Sequence, residues 1–216
     1  MKLKNPPWSS PQLDSFSTCP HQYYHTRVLC DVDPVATDLA RAGQNFVEAL
    51  SQALATGDTP DKLRRFAPMV EMLRALPGKA SINTVLAVDE RFSQCTADKA
   101  WLKSKVHYIR ATEKEALLFE WRTGAKEPND ALKLSAALYF CLNPACVSLQ
   151  CHTVWFRAGK IERNKYTRAD MGNLFKQFIP VYERFRSAHE RNEWPAQPCG
   201  LCKKYCNVKD CKYNGI

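Results

Sequence analysis

Residues 101–122 read WLKSKVHYIRATEKEALLFEWR, and this stretch decides the fold class. Two β-prone segments, 101–111 and 116–122, flank the polar turn Thr112-Glu113-Lys114-Glu115. Runs of this length, rich in branched and aromatic residues and bounded by polar turns, are typical of strands. The sequence therefore predicts a β-hairpin at the centre of the chain.

Elements on both sides of the hairpin follow a mixed pattern. Apolar residues at helical spacing predict helices over 11–24, 36–55, 60–76, 129–142 and 169–192. Further strands are predicted over 82–92 and 147–157, with a short one near Ile161. This order predicts an α/β fold in which a mixed sheet is flanked by helices.

The overall charge favours a polyanionic partner. Lys and Arg outnumber Asp and Glu by 31 to 22, which gives the 216-residue chain a net charge of +9. Nucleic acid, and DNA first, is the expected partner for such a surface. The sequence has no apolar run long enough to span a bilayer and no hydrophobic stretch of a signal peptide near residue 1. We therefore expect a cytoplasmic protein that does not bind a membrane.

The cysteine-bearing tail predicts a metal centre. The chain has ten cysteines, and in a cytoplasmic protein they point to metal binding and not to disulfides. Cys199, Cys202, Cys206 and Cys211 lie within thirteen residues, so they could converge on zinc or an iron–sulfur cluster. In a second arrangement Cys19 replaces Cys199 and ties the two ends of the chain together, so that binding contributes to folding.

Three segments carry a resemblance to a known family. Residues 10–24, SPQLDSFSTCPHQYY, look like the first helix of RecB-type PD-(D/E)XK nucleases. Residues 120–124, EWRTG, resemble the family's D-W-K-T-G strand, and residues 195–211 resemble its iron–sulfur tail. The group includes CRISPR-associated exonucleases and phage-encoded relatives. The resemblance implies a restriction-endonuclease-like core over 36–194.

The resemblance also implies an organisation and a cofactor. An N-terminal segment, 1–35, would carry the first cluster cysteine, and 195–216 would form the cluster tail. In the family the matching residues hold a [4Fe-4S] cluster. Those residues are Cys19, Cys202, Cys206 and Cys211. The thiolate ligands by themselves leave zinc as the alternative. Cys199 falls where relatives have a non-ligand residue, so it is an alternative ligand.

The positions that match the family's catalytic residues are largely substituted. Such a nuclease uses acidic residues to hold Mg²⁺ or Mn²⁺ and a Lys to stabilise charge. Val47 stands at the position of a His, His107 at that of the first Asp, and Ala131 at that of a Gln. Glu120 keeps the second acid, while Arg122 replaces the Lys, an exchange that is not conservative at a catalytic site. The resemblance thus implies a catalytically inactive relative. The alternative is an active exonuclease that uses Mn²⁺ or Mg²⁺ at a modified site.

Each substitution also has a structural interpretation. Val47 could pack in the core, and His107 could be a histidine with a backbone partner. Glu120 and Arg122 alternate with large apolar residues and share one face of the strand, so they could form an ion pair across the former metal site.

Basic residues near the expected cleft are candidates for phosphate contacts. These are Lys103, Lys105, Lys126 and Lys133. Each could equally be an ordinary solvated side chain. An inactive relative of this kind would bind DNA, or a host or phage protein, in recombination or in interference with host defence.

Overall fold

The computed structural model describes residues 5–34, 37–124 and 130–215. The chain forms two compact units. Asp38–Phe175 is one, here named the sheet unit, and Met1–Thr37 together with Lys176–Ile216 is the other, here named the terminal unit. Residues 176–194, which the sequence analysis grouped with the core, belong to the terminal unit.

The sheet unit contains a five-stranded mixed sheet. Its strands are β1 (Lys79–Val88), β2 (Leu102–Ala111), β3 (Glu115–Arg122), β4 (Ser148–Trp155) and β5 (Lys160–Thr167). They lie in the order β1-β2-β3-β4-β5. All neighbours are antiparallel except β3 and β4, which run parallel. The predicted mixed α/β sheet is confirmed.

The central hairpin is β2–β3. The N–H of Thr112 donates to the carbonyl of Glu115, and the N–H of Glu115 donates back to Oγ1 of Thr112. Tight turns of this kind fix the register of the strands they join. Ala111 therefore pairs with Ala116, and Tyr108 with Phe119.

Helices occupy both faces of this sheet. The unit contains α3 (Asp38–Thr56), a 3₁₀ helix (Asp61–Phe66), α4 (Ala67–Ala75), α5 (Ala131–Leu142), a second 3₁₀ helix (Arg168–Asp170) and α6 (Met171–Lys176, whose last residue belongs to the terminal unit). Phe119 packs in the core cluster formed with α3 and α4. Leu118 and its neighbour Cys151 point to the opposite face, where Cys151 Sγ contacts the carbonyl of Leu132 in α5. Since α5 connects β3 to β4, it supplies the crossover that a parallel pair requires.

Two predictions for this unit are corrected. The single helix expected over 60–76 is a 3₁₀ helix followed by α4, because the chain leaves helical geometry at Phe66 (ψ 0°) and Pro68 opens a new helix. The short strand expected near Ile161 is the eight-residue β5. The residue pattern did not predict the full length of β5, because an edge strand exposes polar side chains on both faces and β5 has many charged residues.

The terminal unit is helical. Its helices are α1 (Ser10–Thr18), α2 (Pro20–Tyr23), a π-helix (Tyr24–Leu29) and α7 (Ile179–Arg191). The helix expected over 11–24 is interrupted at Cys19 (φ −161°, ψ 106°), because a residue before proline avoids helical geometry. The helix expected over 169–192 is likewise broken before Ile179, where Pro180 starts α7.

Aromatic side chains form the core of this unit. The ring of Phe185 on α7 meets Phe16 and Tyr23 edge to face, with centroids 5.3 and 5.4 Å apart. Trp194 stacks on Tyr24 at 5.0 Å. Such pairs stabilise by about 0.5–1.5 kcal/mol each beyond their burial. In the described parts of the chain, no helix is both long and apolar enough to cross a membrane.

Candidate functional site

The carboxylate of Glu120 is paired with a side chain of its own strand. Glu120 and Arg122 are two residues apart on β3 and therefore share a face, which brings the Arg122 guanidinium to 2.5 Å from a carboxylate oxygen of Glu120. Glu120 is buried, with 7% of its surface exposed, whereas the side chain of Arg122 is 38% exposed. The ion pair expected as the structural interpretation is present. The guanidinium therefore offsets the charge of this carboxylate.

His107 accepts a hydrogen bond from the backbone. The N–H of Trp121 donates to Nδ1 of His107 at 3.1 Å. Burial, together with the charges of Lys105 and Arg122, lowers the pKa of His107 from 6.5 to about 4. The ring is therefore neutral near pH 7, and because Nδ1 accepts, the proton resides on Nε2.

The strands are irregular at this point. The paired residues of β2 and β3 end at Tyr108 and Phe119. Beyond that pair, the N–H of Trp121 donates a hydrogen bond to the imidazole of His107. Strand β1 lies on the other side of β2, where Ile82 pairs with Tyr108 and Thr84 with Val106, so that Asn83 lies opposite His107. Asn83 has a left-handed φ of 49°. Left-handed non-glycine residues are uncommon, and Asn tolerates the conformation better than most.

The other two positions singled out by the sequence resemblance, Val47 and Ala131, have structural roles or none. Val47 lies on α3 and packs against the core cluster of the sheet unit. One turn earlier, Gly43 faces Thr123, and a Cβ at Gly43 would overlap Thr123 Oγ1. The glycine therefore permits the close approach of α3 to the end of β3. Ala131 is the first residue of α5 and carries no functional group.

These residues do not fit a divalent-cation site. Mg²⁺ and Mn²⁺ need several oxygen ligands, and here the one carboxylate is already paired with a guanidinium. A neutral imidazole that accepts at Nδ1 has no lone pair left on Nε2 for a metal. Within residues 5–34, 37–124 and 130–215, no three His, Cys, Asp or Glu side chains are grouped so that they could hold a metal ion.

The predicted phosphate contacts differ in their environments. Lys105 is exposed and lies close enough to His107 to influence its pKa. Lys103 donates to the carbonyl of Ala97 at 3.4 Å. Lys133 forms an ion pair with Asp130 at 2.6 Å, which offsets its charge. The fourth candidate, Lys126, lies outside the described residues.

A second cluster of functional groups lies in the terminal unit. The thiols of Cys199 and Cys202 are in contact, with their sulfurs 3.8 Å apart, and the N–H of Cys199 donates to Cys202 Sγ at 3.3 Å. Burial raises the pKa of Cys199, and the nearby thiols of Cys202 and Cys19 raise it further. Cys19, at the end of α1, and Cys202 are both buried.

The tail is held by backbone contacts around the cysteines. The N–H of Gly215 donates to the carbonyl of Cys202 at 3.0 Å, and the side chain of Asn214 donates to the carbonyl of Cys206 at 2.8 Å. Cys206 and Cys211 are half-buried. Since no three metal-binding side chains of the described chain are grouped, the five thiols do not form a complete ligand set in this arrangement.

Sequence reasoning predicted two of these relationships only in outline. The hydrogen bond from Trp121 to His107 depends on where the ladder ends, which residue patterns do not report. The contact between Cys199 and Cys202 follows their C-x-x-C spacing, and that spacing was the signal for pairing them.

Comparison with known proteins gives a limited result. No protein-family model matches the chain, and no curated protein matches it. Among solved structures, it is similar to a crystal structure of a protein designated SSO0001, with 13% sequence identity and a TM-score of 0.44. That match covers 99% of this chain and 89% of the other. Function must therefore be inferred from the residues of this chain.

Proposed function

We propose that this chain is a catalytically inactive PD-(D/E)XK exonuclease-like protein that binds DNA without cutting it. The proposal combines the sequence resemblance with the geometry at His107, Glu120 and Arg122. The observation that carries it is the 2.5 Å ion pair between Glu120 and Arg122. It replaces the metal ion that the chemistry requires with a guanidinium belonging to the protein itself.

The loss of the metal removes the main source of transition-state stabilisation. Metal-dependent cleavage uses the cation to activate water and to neutralise charge on the phosphate. Removing even one charge-stabilising group commonly lowers kcat by about 100-fold or more. Here the guanidinium neutralises Glu120, and His107 has its acceptor nitrogen engaged by Trp121.

A cation beside His107 favours binding of a phosphate. After burial, the charge of Lys105 is the next cause that lowers the pKa of His107, and Lys105 is exposed. Because Glu120 offsets the charge of Arg122, Lys105 is the cation that would contact a phosphate here. The net charge of +9 adds long-range attraction for DNA.

Metal-independent DNA binding is the test. The affinity of the full-length protein for a labelled duplex would be measured by fluorescence anisotropy in EDTA, in Mg²⁺ and in Mn²⁺, over a series of salt concentrations. We expect binding that weakens steeply with salt. At constant ionic strength, it should be the same with and without divalent cations. The absence of salt-sensitive binding would contradict DNA as the partner and would point to a host or phage protein.

For the cysteines, we propose a structural metal centre held by Cys19, Cys202, Cys206 and Cys211, with Cys199 as the alternative ligand. Support comes from the contact of Cys199 with Cys202 and from the effect of Cys19 on the pKa of Cys199. Tetrahedral zinc with Zn–S bonds of about 2.3 Å separates its thiolates by about 3.8 Å, as these two sulfurs are. In a [4Fe-4S] cluster each thiolate binds a different iron, so the sulfurs stand farther apart.

Metal binding would complete a set of ligands that is only partly assembled. Such coupling of binding and folding is usual for small metal sites. Protein purified without oxygen would be assayed for iron, sulfide and zinc. Brown protein with iron and sulfide would establish the cluster implied by the resemblance, and colourless protein with zinc would establish the alternative. Protein with neither metal, even after reconstitution, would contradict the proposal.

A further inference from the structure

The tail presents an exposed aromatic ring beside two lysines. Tyr205 is 45% exposed and Leu201 is 38% exposed. The N–H of Tyr205 donates to the carbonyl of Leu201 at 2.8 Å, so one helical turn places both side chains in one region of the surface. Lys203 and Lys204, which lie between them in sequence, are also exposed.

Buried residues and hydrogen bonds hold this turn in place. Cys202 lies inside it and is buried, and its carbonyl accepts the N–H of Gly215. Just after the turn, the carbonyl of Cys206 accepts a hydrogen bond from the side chain of Asn214 at 2.8 Å, and Val208 is buried. An exposed ring on an anchored turn loses little conformational entropy when a ligand covers it.

We infer that this turn, residues 201–205, is a contact site for single-stranded nucleic acid. The ring of Tyr205 stacks on an unpaired base, Leu201 covers part of the same base or its sugar, and the ammonium groups of Lys203 and Lys204 contact the flanking phosphates. The inference rests on the proposed DNA binding and extends it to a second surface, in the terminal unit.

The combination of groups selects a single strand over a duplex. The bases of a duplex are stacked on each other, so their faces are not available to a side chain, whereas an unpaired base offers its face to an aromatic ring. Lysines alone would bind either form, because both carry phosphates. Tyr205 and Leu201 therefore supply the preference, and the lysines supply affinity.

A matched tyrosine on the same tail provides the control. Tyr213 is half-buried, and the ammonium of Lys212 lies 4.9 Å from the centre of its ring, so that ring is already occupied. Tyr205→Ala, Tyr205→Phe and Tyr213→Ala would be compared with wild type. The probes are a labelled single strand that contains one 2-aminopurine and a duplex of equal length. Thermal melting checks that each variant is folded.

We expect Tyr205→Ala to weaken single-strand binding by about tenfold or more, the loss usual for a stacked base, and to leave duplex binding unchanged. Wild type and Tyr205→Phe should quench 2-aminopurine fluorescence, and Tyr205→Ala should not. Tyr213→Ala should behave as wild type. Equal single-strand affinity of wild type and Tyr205→Ala would overturn the inference. So would a wild-type protein that binds the duplex but not the single strand, and that result would leave the proposed function intact. Binding of neither probe would contradict both.

Discussion

The backbone N–H of Trp121 donates its hydrogen bond to the imidazole of His107, with 3.1 Å between the two nitrogens. At this point of the β2–β3 hairpin a side chain does what a strand carbonyl normally does. The contact requires a neutral ring with its proton on Nε2. His107 is therefore a structural acceptor in this hairpin, and its ionisation is linked to stability.

The first prediction concerns the pH dependence of stability. The pKa of His107 is about 4 in the folded protein, compared with an ordinary value of 6.5. Between these values the unfolded chain binds a proton that the folded protein does not. Stability therefore rises with pH through this window, is fully present above about 6.5, and is lost as pH falls towards 4. We expect this group to contribute about 1–3 kcal/mol.

Two variants isolate that effect. His107→Asn keeps an acceptor near the position of Nδ1 but cannot titrate, whereas His107→Phe removes the acceptor. Urea unfolding between pH 4 and 7 should show a shallower pH dependence for His107→Asn. His107→Phe should be less stable by about 1–3 kcal/mol at pH 7, because the N–H of Trp121 loses its partner. The pKa values of His152 and His189 are also lowered by burial, so the difference from wild type is the informative quantity. Identical pH profiles for wild type and His107→Asn would rule out the linkage.

The ion pair on β3 predicts a cooperative effect on stability. Glu120→Gln leaves the Arg122 guanidinium, whose buried Nε has no hydrogen-bond partner in the described structure, without its counter-charge. We expect a loss of about 1–3 kcal/mol. Arg122→Met in the same chain should restore part of it, since both charges are then removed. Additive effects in this double-mutant cycle would show that the two side chains are not coupled.

The contact of α3 with the end of β3 predicts a clash and its relief. Gly43→Ala places a methyl group against Thr123 Oγ1 and should destabilise the protein by about 1–3 kcal/mol. Adding Thr123→Ala should recover most of this loss. Gly172→Ala is the control, because nothing described lies within 4 Å of its added Cβ, and helix propensity should then stabilise α6 by up to about 1 kcal/mol. Chemical denaturation of the three variants measures these changes, and a Gly43→Ala single variant as stable as wild type would disprove the close approach.

The lysines around the candidate site should contribute unequally to DNA binding. Lys105 is exposed beside His107, whereas Lys133 is paired with Asp130. Lys105→Ala should weaken duplex binding and reduce the slope of log K against log salt by about 0.9, the value for one lost phosphate contact. Lys133→Ala should change both quantities less. Equal effects of the two substitutions would mean that only net charge matters.

The proposed metal centre predicts that Cys202 holds the metal, with Cys199 as the alternative ligand. Cys202→Ser should reduce the metal content of the purified protein. Cys95→Ser, in the other unit, should not. A full metal complement in Cys199→Ser would show that Cys199 is an extra residue, as the family resemblance implies, and a reduced complement would show that it is a ligand.

Local patterns predicted much of the sheet unit. The polar turn from Thr112 to Glu115 between two apolar strands was sufficient to predict the hairpin, because turn and strand signals are local. The ion pair of Glu120 with Arg122 was also foreseeable, since residues two apart on a strand share a face.

Breaks and tertiary contacts were less predictable. Cys19 and Phe178 interrupt helices whose apolar spacing continues across them, and only the following prolines signal the breaks. The acceptor role of His107 depends on how β2 and β3 lie beside each other at His107 and Trp121, and no spacing within one segment encodes that.

A cleavage assay tests the central claim most directly. Protein purified without oxygen would be incubated with end-labelled single- and double-stranded DNA in Mg²⁺ and, separately, in Mn²⁺, beside Glu120→Ala. The ion pair of Glu120 with Arg122 and the engaged imidazole of His107 predict no cleavage by either protein. Cleavage by wild type that is lost in a folded Glu120→Ala variant would contradict this account and would make His107 and Glu120 metal ligands of an active nuclease.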